Sequence, residues 1–285
     1  MTALTTDRPT FTPSGASTGG VTFPRVVSSE WLKFRTVRST VWTLATTLVL
    51  MVGISVLIGW GLSTAAGRGG GDGGPTGLGA VNLITGGYFF AQLTVAVLGV
   101  LAVTAEYTTG MIRSTFAAVP RRIPALLAKA LVVTVAVAVV STVGLALAYV
   151  ATIPFLNRLG LELDLSDPTT VRVLLGTPLY LSTVTLLAFA IGALLRHSAG
   201  ALATVLGLLL VVENVFRAIP LTFFENVSPF LPSTAGGRLL MSDGELAATV
   251  GPGADLTPWQ GYGVMLAWAL VLLAAAIVLL RRRDA

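Results

Sequence analysis

The sequence predicts an all-α integral membrane protein with six transmembrane helices, and three observations predict it. Hydrophobic residues make up 54% of the 285 residues and charged residues 11%, against roughly 25% charged in a soluble domain. The apolar excess falls in blocks of about 20 residues, long enough at ~1.5 Å per residue to cross a hydrocarbon core of ~30 Å. The basic residues gather beside those blocks instead of forming a patch of their own. A soluble fold of this size could not bury so many uninterrupted apolar helices and keep a polar surface.

In chain order, residues 1–25 are rich in Thr, Ser, Gly and Pro and read as a disordered cytoplasmic tail. The first 39 residues hold no apolar core segment, so no cleavable signal peptide is expected. Residues 26–283 read as a single six-helix transmembrane domain. It begins with an imperfect N-terminal amphipathic helix near 26–38. Val27, Trp31, Phe34 and Val37 share one side, with Lys33 and Thr36 opposite, and Glu30 and Arg38 intrude on the apolar side. The alternative is an ordinary basic flank of the first span.

The spans are expected near 40–62, 83–105, 125–153, 172–195, 199–220 and 262–280. The third is long enough to tilt. The fourth and fifth are separated only by Arg196, His197 and Ser198, because one merged helix would need roughly 50 apolar residues, far more than a bilayer holds. The loop over 63–82 is Gly-rich and flexible, and no Lys-Ser or Lys-Thr follows its glycines as a phosphate loop requires. The stretch 221–261 carries Leu221, Phe223, Phe224, Val227, Phe230 and Leu231 broken by Pro229 and Pro232. So apolar a connection is expected to fold back into the outer leaflet as short, proline-ended helices.

Counting Lys and Arg sets the orientation. With both termini on one face, that face carries 13 of the 18 basic residues, including Lys33, Arg113, Arg121, Arg122, Lys129 and Arg281–Arg283. The basic-rich side is expected to be cytoplasmic, with both termini inside a plasma-membrane protein. The formal charge of +5 is then a topology signal and a contact for membrane lipid, and no nucleic-acid partner is expected.

The candidate chemistry is sparse. There is no cysteine and one histidine, His197, so neither a zinc constellation nor a thiol nucleophile can be assembled. His197 reads as a polar turn residue. No Gly-Lys-Ser/Thr motif occurs. The chain is therefore not expected to be an enzyme, and no catalytic, metal or cofactor residue is assigned. Glu213 is the one clear intramembrane charge, with Arg217 four residues on. It reads either as an interfacial ion pair or as a polar residue of a translocation path. A self-powered carrier would carry more midplane charge.

The most informative segment follows the second span, Glu106-Tyr-Thr-Thr-Gly110-Met111-Ile112-Arg113-Ser-Thr-Phe116-Ala-Ala-Val119-Pro120-Arg121-Arg122. Met111, Ile112, Phe116 and Val119 fall on one face of a short helix. That face either docks into a groove on a soluble partner or rests on the headgroups.

The order of these parts resembles the permease subunit of a type-2 ABC exporter of the actinobacterial style. The likeness covers almost everything from Ser29 to Arg283. It rests on Glu30-Trp-Leu-Lys-Phe-Arg35, the Glu106-to-Gly110 turn with Ile112-Arg113-Ser114-Thr115 after it, Pro120-Arg121-Arg122, and Val227-Ser-Pro-Phe230-Leu-Pro-Ser233. The resemblance implies a coupling helix near 108–119 and re-entrant outer helices within 221–240. Glu106, Gly110, Met111, Ile112, Arg113 and Phe116 would couple to a separate ATP-binding cassette subunit, which holds the ATP and Mg. A second permease copy would complete a homodimer. Glu213 and Phe230 become candidates for the translocation path or outer gate, and the cargo would be hydrophobic or amphipathic. The competing reading is a non-transporting scaffold or regulatory subunit of a membrane complex.

Overall fold

The computed structural model describes residues 22–69, 79–109, 122–248 and 255–283. Of these, 90% are helical and none lies in a strand. Six helical stretches are long and apolar enough to cross a membrane: Arg38–Gly67, Ala80–Thr108, Ile123–Leu159, Pro168–Leu195, Ser198–Phe216 and Pro258–Arg282. That is the pattern of a multi-pass membrane protein. The expected disordered tail lies outside the described residues, except that its last residues already belong to the first helix.

That helix, α1, spans Phe23–Thr36 and breaks at Val37 before α2, Arg38–Gly69. A short α3, Ala80–Thr85, leads into α4, Tyr88–Thr109. Helix α5 covers Arg122–Leu159 and α6 covers Pro168–Leu195. Asp167 starts α6, its carboxylate accepting from the Thr169 and Thr170 amides at 3.1 and 3.0 Å, and Pro168 at the first position lacks the amide that would otherwise go unpaired.

The tight hairpin after α6 is closed by two devices. Arg196 turns left-handed (φ 55) and its amide returns to the Gly192 carbonyl at 2.9 Å. His197 then caps α7, Ser198–Leu206, its Nδ1 accepting from the Gly200 amide at 3.1 Å. The fifth span continues as a π-helical stretch, Gly207–Val212, and ends in α8, Glu213–Ala218.

The stretch after it is a chain of short helices: α9 over Thr222–Val227, a 3-10 turn at Ser228–Phe230, α10 over Pro232–Gly237, a second 3-10 turn at Arg238–Leu240, and α11 over Asp243–Ala248. Prolines open two of these pieces, as they can without losing a helical hydrogen bond. The last span is α12, Pro258–Arg283.

Helix α6 is the hub. Its most apolar window is 72% buried, against 17% for α2 and 22% for the fifth span. It lies closest to α4, where a Cβ on Gly99 would sit 2.4 Å from the Thr185 carbonyl oxygen. Such close approach is how small residues build helix contacts in lipid, where apolar burial alone gives no driving force. Tyr180, Leu181, Val184 and Leu187 of α6 share a core with Met51, Leu83, Ile84 and Val95. The peripheral spans instead expose Trp42, Val49, Leu57, Trp60 and Val271, side chains suited to hydrocarbon.

One end of the bundle gathers α1, the end of α4, the start of α5, the α6–α7 turn and the end of α12. Val26 packs on Ala125 and Ala128, and Leu280 clusters with Val103, Leu126 and Ala193. Arg196 stacks on the Tyr107 ring at 5.1 Å, and the Ser198 hydroxyl donates to Thr104 Oγ1 at 3.0 Å. This is the arginine-rich end. The short helices α9–α11 lie at the other.

Candidate functional site

At the arginine-rich end, three elements are joined through four charged side chains. Glu30 comes from α1, where its side chain is only 3% exposed, with Lys33 one turn later. Glu106 stands three residues before the end of α4, and Lys129 two turns into α5. Lys33 Nζ lies 2.6 Å from Glu30 and 3.8 Å from Glu106. Lys129 Nζ lies 3.5 Å from Glu30 and pairs directly with Glu106. Each carboxylate thus meets both ammonium groups, and these are the only two lysines in the chain.

Burial explains the arrangement. An ionised carboxylate with so little access to water is strongly disfavoured unless paired and hydrogen-bonded. Glu30 therefore interrupts the apolar side of α1 because that side faces two cations. Val26 and Glu30 are the buried residues of α1, while Trp31 is 44% exposed. Above the network a cavity of about 450 Å³ runs between α1, α2, α4 and α5, apolar along Leu98, Leu101, Val132 and Val133.

Of the residues expected to couple to a partner, Glu106 is thus at the centre of the network. Gly110, Met111, Ile112, Arg113 and Phe116 lie outside the described residues. The segment 110–121 that carries them leaves α4 four residues after Glu106 and rejoins at α5, seven residues before Lys129. Both of its anchor points are therefore tied to the same ion network.

At the opposite end, Glu213 is buried. Its carboxylate accepts from the Ser233 amide at 2.7 Å and the Thr234 hydroxyl at 3.0 Å, at the first turn of α10. The polar chain continues as Ser233 Oγ meets the Tyr180 hydroxyl at 2.9 Å, which donates to Gln92 Oε1 at 2.7 Å. Glu213 is therefore a brace between the fifth span and the short helices. The Arg217 side chain, its expected partner by spacing, lies outside the described residues. Phe230 is 43% exposed, and its carbonyl accepts from Trp268 Nε1 at 2.9 Å.

Two further ion pairs fasten the same end. Arg172 donates to the Met241 carbonyl at 2.9 Å and to Asp243 at 2.8 Å. Arg238 reaches Asp255 at 2.5 Å. Among the described residues, no group of three or more His, Cys, Asp or Glu side chains is placed to hold a metal ion. What both sites do chemically is hold elements together, by charge at one end and by a charged acceptor on fixed donors at the other.

Sequence reasoning named Glu106 and Glu213 but missed Glu30, Lys33 and Lys129 as a unit, and missed Tyr180, Gln92 and Ser233. For the first group the signal was present: a carboxylate on an apolar helix side, and only two lysines to answer it. No family model matches the chain, and no curated protein is significantly similar to it.

Proposed function

We propose that this chain is the membrane-spanning subunit of an ATP-driven ABC exporter, moving a hydrophobic or amphipathic substrate out of the cell with energy from a separate ATP-binding subunit. One observation carries the reading. The coupling helix that the resemblance implies near 108–119 connects α4 to α5, and each of those helices carries a member of the Glu30–Lys33–Glu106–Lys129 network close to that connection, Glu106 and Lys129. A push on that segment would reach α1, α4 and α5 together, since each ion pair crosses between elements or braces one that does.

In this reading the arginine-rich end faces the cytosol and both termini are inside the plasma membrane, as the distribution of Lys and Arg favours. The short helices α9 and α10 re-enter the outer leaflet. Glu213 holds them from behind, and Phe230 is the exposed residue of an outer gate. The chain supplies no catalysis; ATP and Mg belong to the partner. The lightly buried fifth span, with Ala203, Thr204 and Val215 exposed, supports a seam with a second copy. Closure of the paired ATPases would then switch access to a path between the two permeases.

The test is recruitment. An ATP-binding cassette protein without membrane spans should co-purify with the wild-type chain. Ile112→Asp or Phe116→Asp should abolish that association while leaving the membrane fold intact. Undiminished recruitment by both variants, or robust substrate translocation by the purified chain without ATP, would overturn the proposal. A scaffold would recruit its partner yet show no ATP-dependent uptake into inverted vesicles.

A further inference from the structure

We infer that the underside of α1 is a binding site for one two-chain membrane phospholipid, its acyl chains in two adjoining cavities and its phosphate on Arg35. The inference rests on the membrane reading alone and is independent of transport.

The first cavity, about 450 Å³, is walled by Phe34, Leu98, Leu101, Ala105, Val132 and Val133, with the ion network at its mouth. A second, about 300 Å³, is walled by Trp31, Phe34, Leu44, Val139 and Val140, with Arg35 on its rim. Phe34 and Thr40 line both, so the two spaces lie on either side of one shared wall. Each is large enough for a small apolar ligand, which occupies roughly 300–1,000 Å³ pockets in proteins. Two apolar spaces that meet beneath one helix fit two tails joined at one head.

Charge selects the head. The four-residue network is internally balanced, two carboxylates against two ammonium groups, and exerts little net pull. Arg35 is different: it is exposed, lines the second cavity and makes no ion pair among the described residues. A guanidinium fork beside a greasy slot matches a phosphate, binding two of its oxygens at once.

The route in is lateral. The second cavity opens between Val41 of α2, and Val135 and Val139 of α5, which are 54%, 50% and 58% exposed. In a bilayer those surfaces meet acyl chains, not water. Trp31 and Leu32 on α1, both exposed, are suited to the interface, where an amphipathic helix rests at headgroup depth.

The experiment uses the full chain purified in detergent and depleted of lipid, titrated with dioleoyl-phosphatidylglycerol, dioleoyl-phosphatidylcholine or dioleoylglycerol, with bound lipid counted by native mass spectrometry. One phospholipid per chain should survive detergent, and dioleoylglycerol, which lacks the phosphate, should bind about tenfold more weakly. Arg35→Ala, and Val139→Trp or Ala105→Trp, which fill one cavity each, should weaken phospholipid binding by about tenfold or more. Val150→Trp, on the same helix but lining neither cavity, should change nothing. Equal loss in Val150→Trp, or no loss in the cavity variants, means ordinary annular lipid and overturns the site. A second measurement needs no variant: a phospholipid with a photoreactive group in its tail should label residues 98–106 and 132–140 of the wild-type chain. Labelling confined to outward residues such as Val49, Leu57 and Val150 would mean that another occupant, or none, fills the cavities.

Discussion

At the arginine-rich end two carboxylates with little access to water are matched by two ammonium groups, whereas at the opposite end the buried Glu213 carboxylate is matched by a backbone amide and a hydroxyl. The first solution uses four long side chains from three helices, and Lys33 already reaches one carboxylate at 2.6 Å and the other at 3.8 Å. Such a network can exchange partners as its helices shift without exposing any charge. The second solution fixes its acceptor on the first turn of α10, where amides point along the helix axis and cannot turn independently of it. One end is built as a joint and the other as a brace.

The comparison breaks most sharply at Lys129. Lys129→Ala removes a cation from both Glu30 and Glu106, and breaking a buried ion pair costs about 3–5 kcal/mol. Thermal unfolding in detergent should register a large drop. The double replacement Lys129→Met with Glu106→Met removes a charge of each sign, leaves Glu30 with Lys33, and should recover most of the loss. A double variant as unstable as the single one would show that shape, not charge balance, holds this end.

Glu213→Ala should come next. It strands the Ser233 amide and the Thr234 hydroxyl in a partly buried place, a loss of about 1 kcal/mol or more. Because the brace is local, the readout is hydrogen exchange: the Ser233 amide should exchange faster while α6 amides keep their protection. Acceleration spread evenly over the bundle would mean that Glu213 acts on global stability and that the two ends are not separable devices.

These two sites also mark how far the sequence could be read. The six long apolar helices were legible because crossing a bilayer demands a length and a composition that few other structures need. The pairing of α1 was not. In water an apolar side chain signals the protein-facing side of a helix, but in a membrane it suits lipid equally well, so Trp31 and Leu32 could point outward while Glu30 turned in. The informative residue was the polar one that broke the pattern. Glu213 was legible as a buried charge, yet its donors stand 20 and 21 residues further on. Helical spacing offers only Arg217 as a local neighbour, because nothing local to the fifth span encodes how the chain folds back over it. The cap at His197 was closer to hand, since a polar residue at a tight turn between two helices has few other roles.

The smallest expected effect tests whether the brace end carries its charge only inside. Asp167 lies outside the spans, half-buried, and its carboxyl is held below the usual carboxylate range, first by the Thr169 amide and then by the Thr170 amide. Asp164 is lowered in the same direction by the Ser166 hydroxyl and amide. A carboxylate whose folded pKa is depressed adds stability at all pH values above its unfolded pKa, about 3.9. That contribution is lost as pH falls through the lower folded value. Asn also caps helices well, so Asp167→Asn should leave the unfolding midpoint near pH 7 almost unchanged. It should also shrink the drop seen on acidification to about pH 3, because an amide has no proton to take up there. An undiminished drop in the variant would place the acid-sensitive groups elsewhere. Glu106 and Glu30 at the joint would then be the next carboxylates to replace.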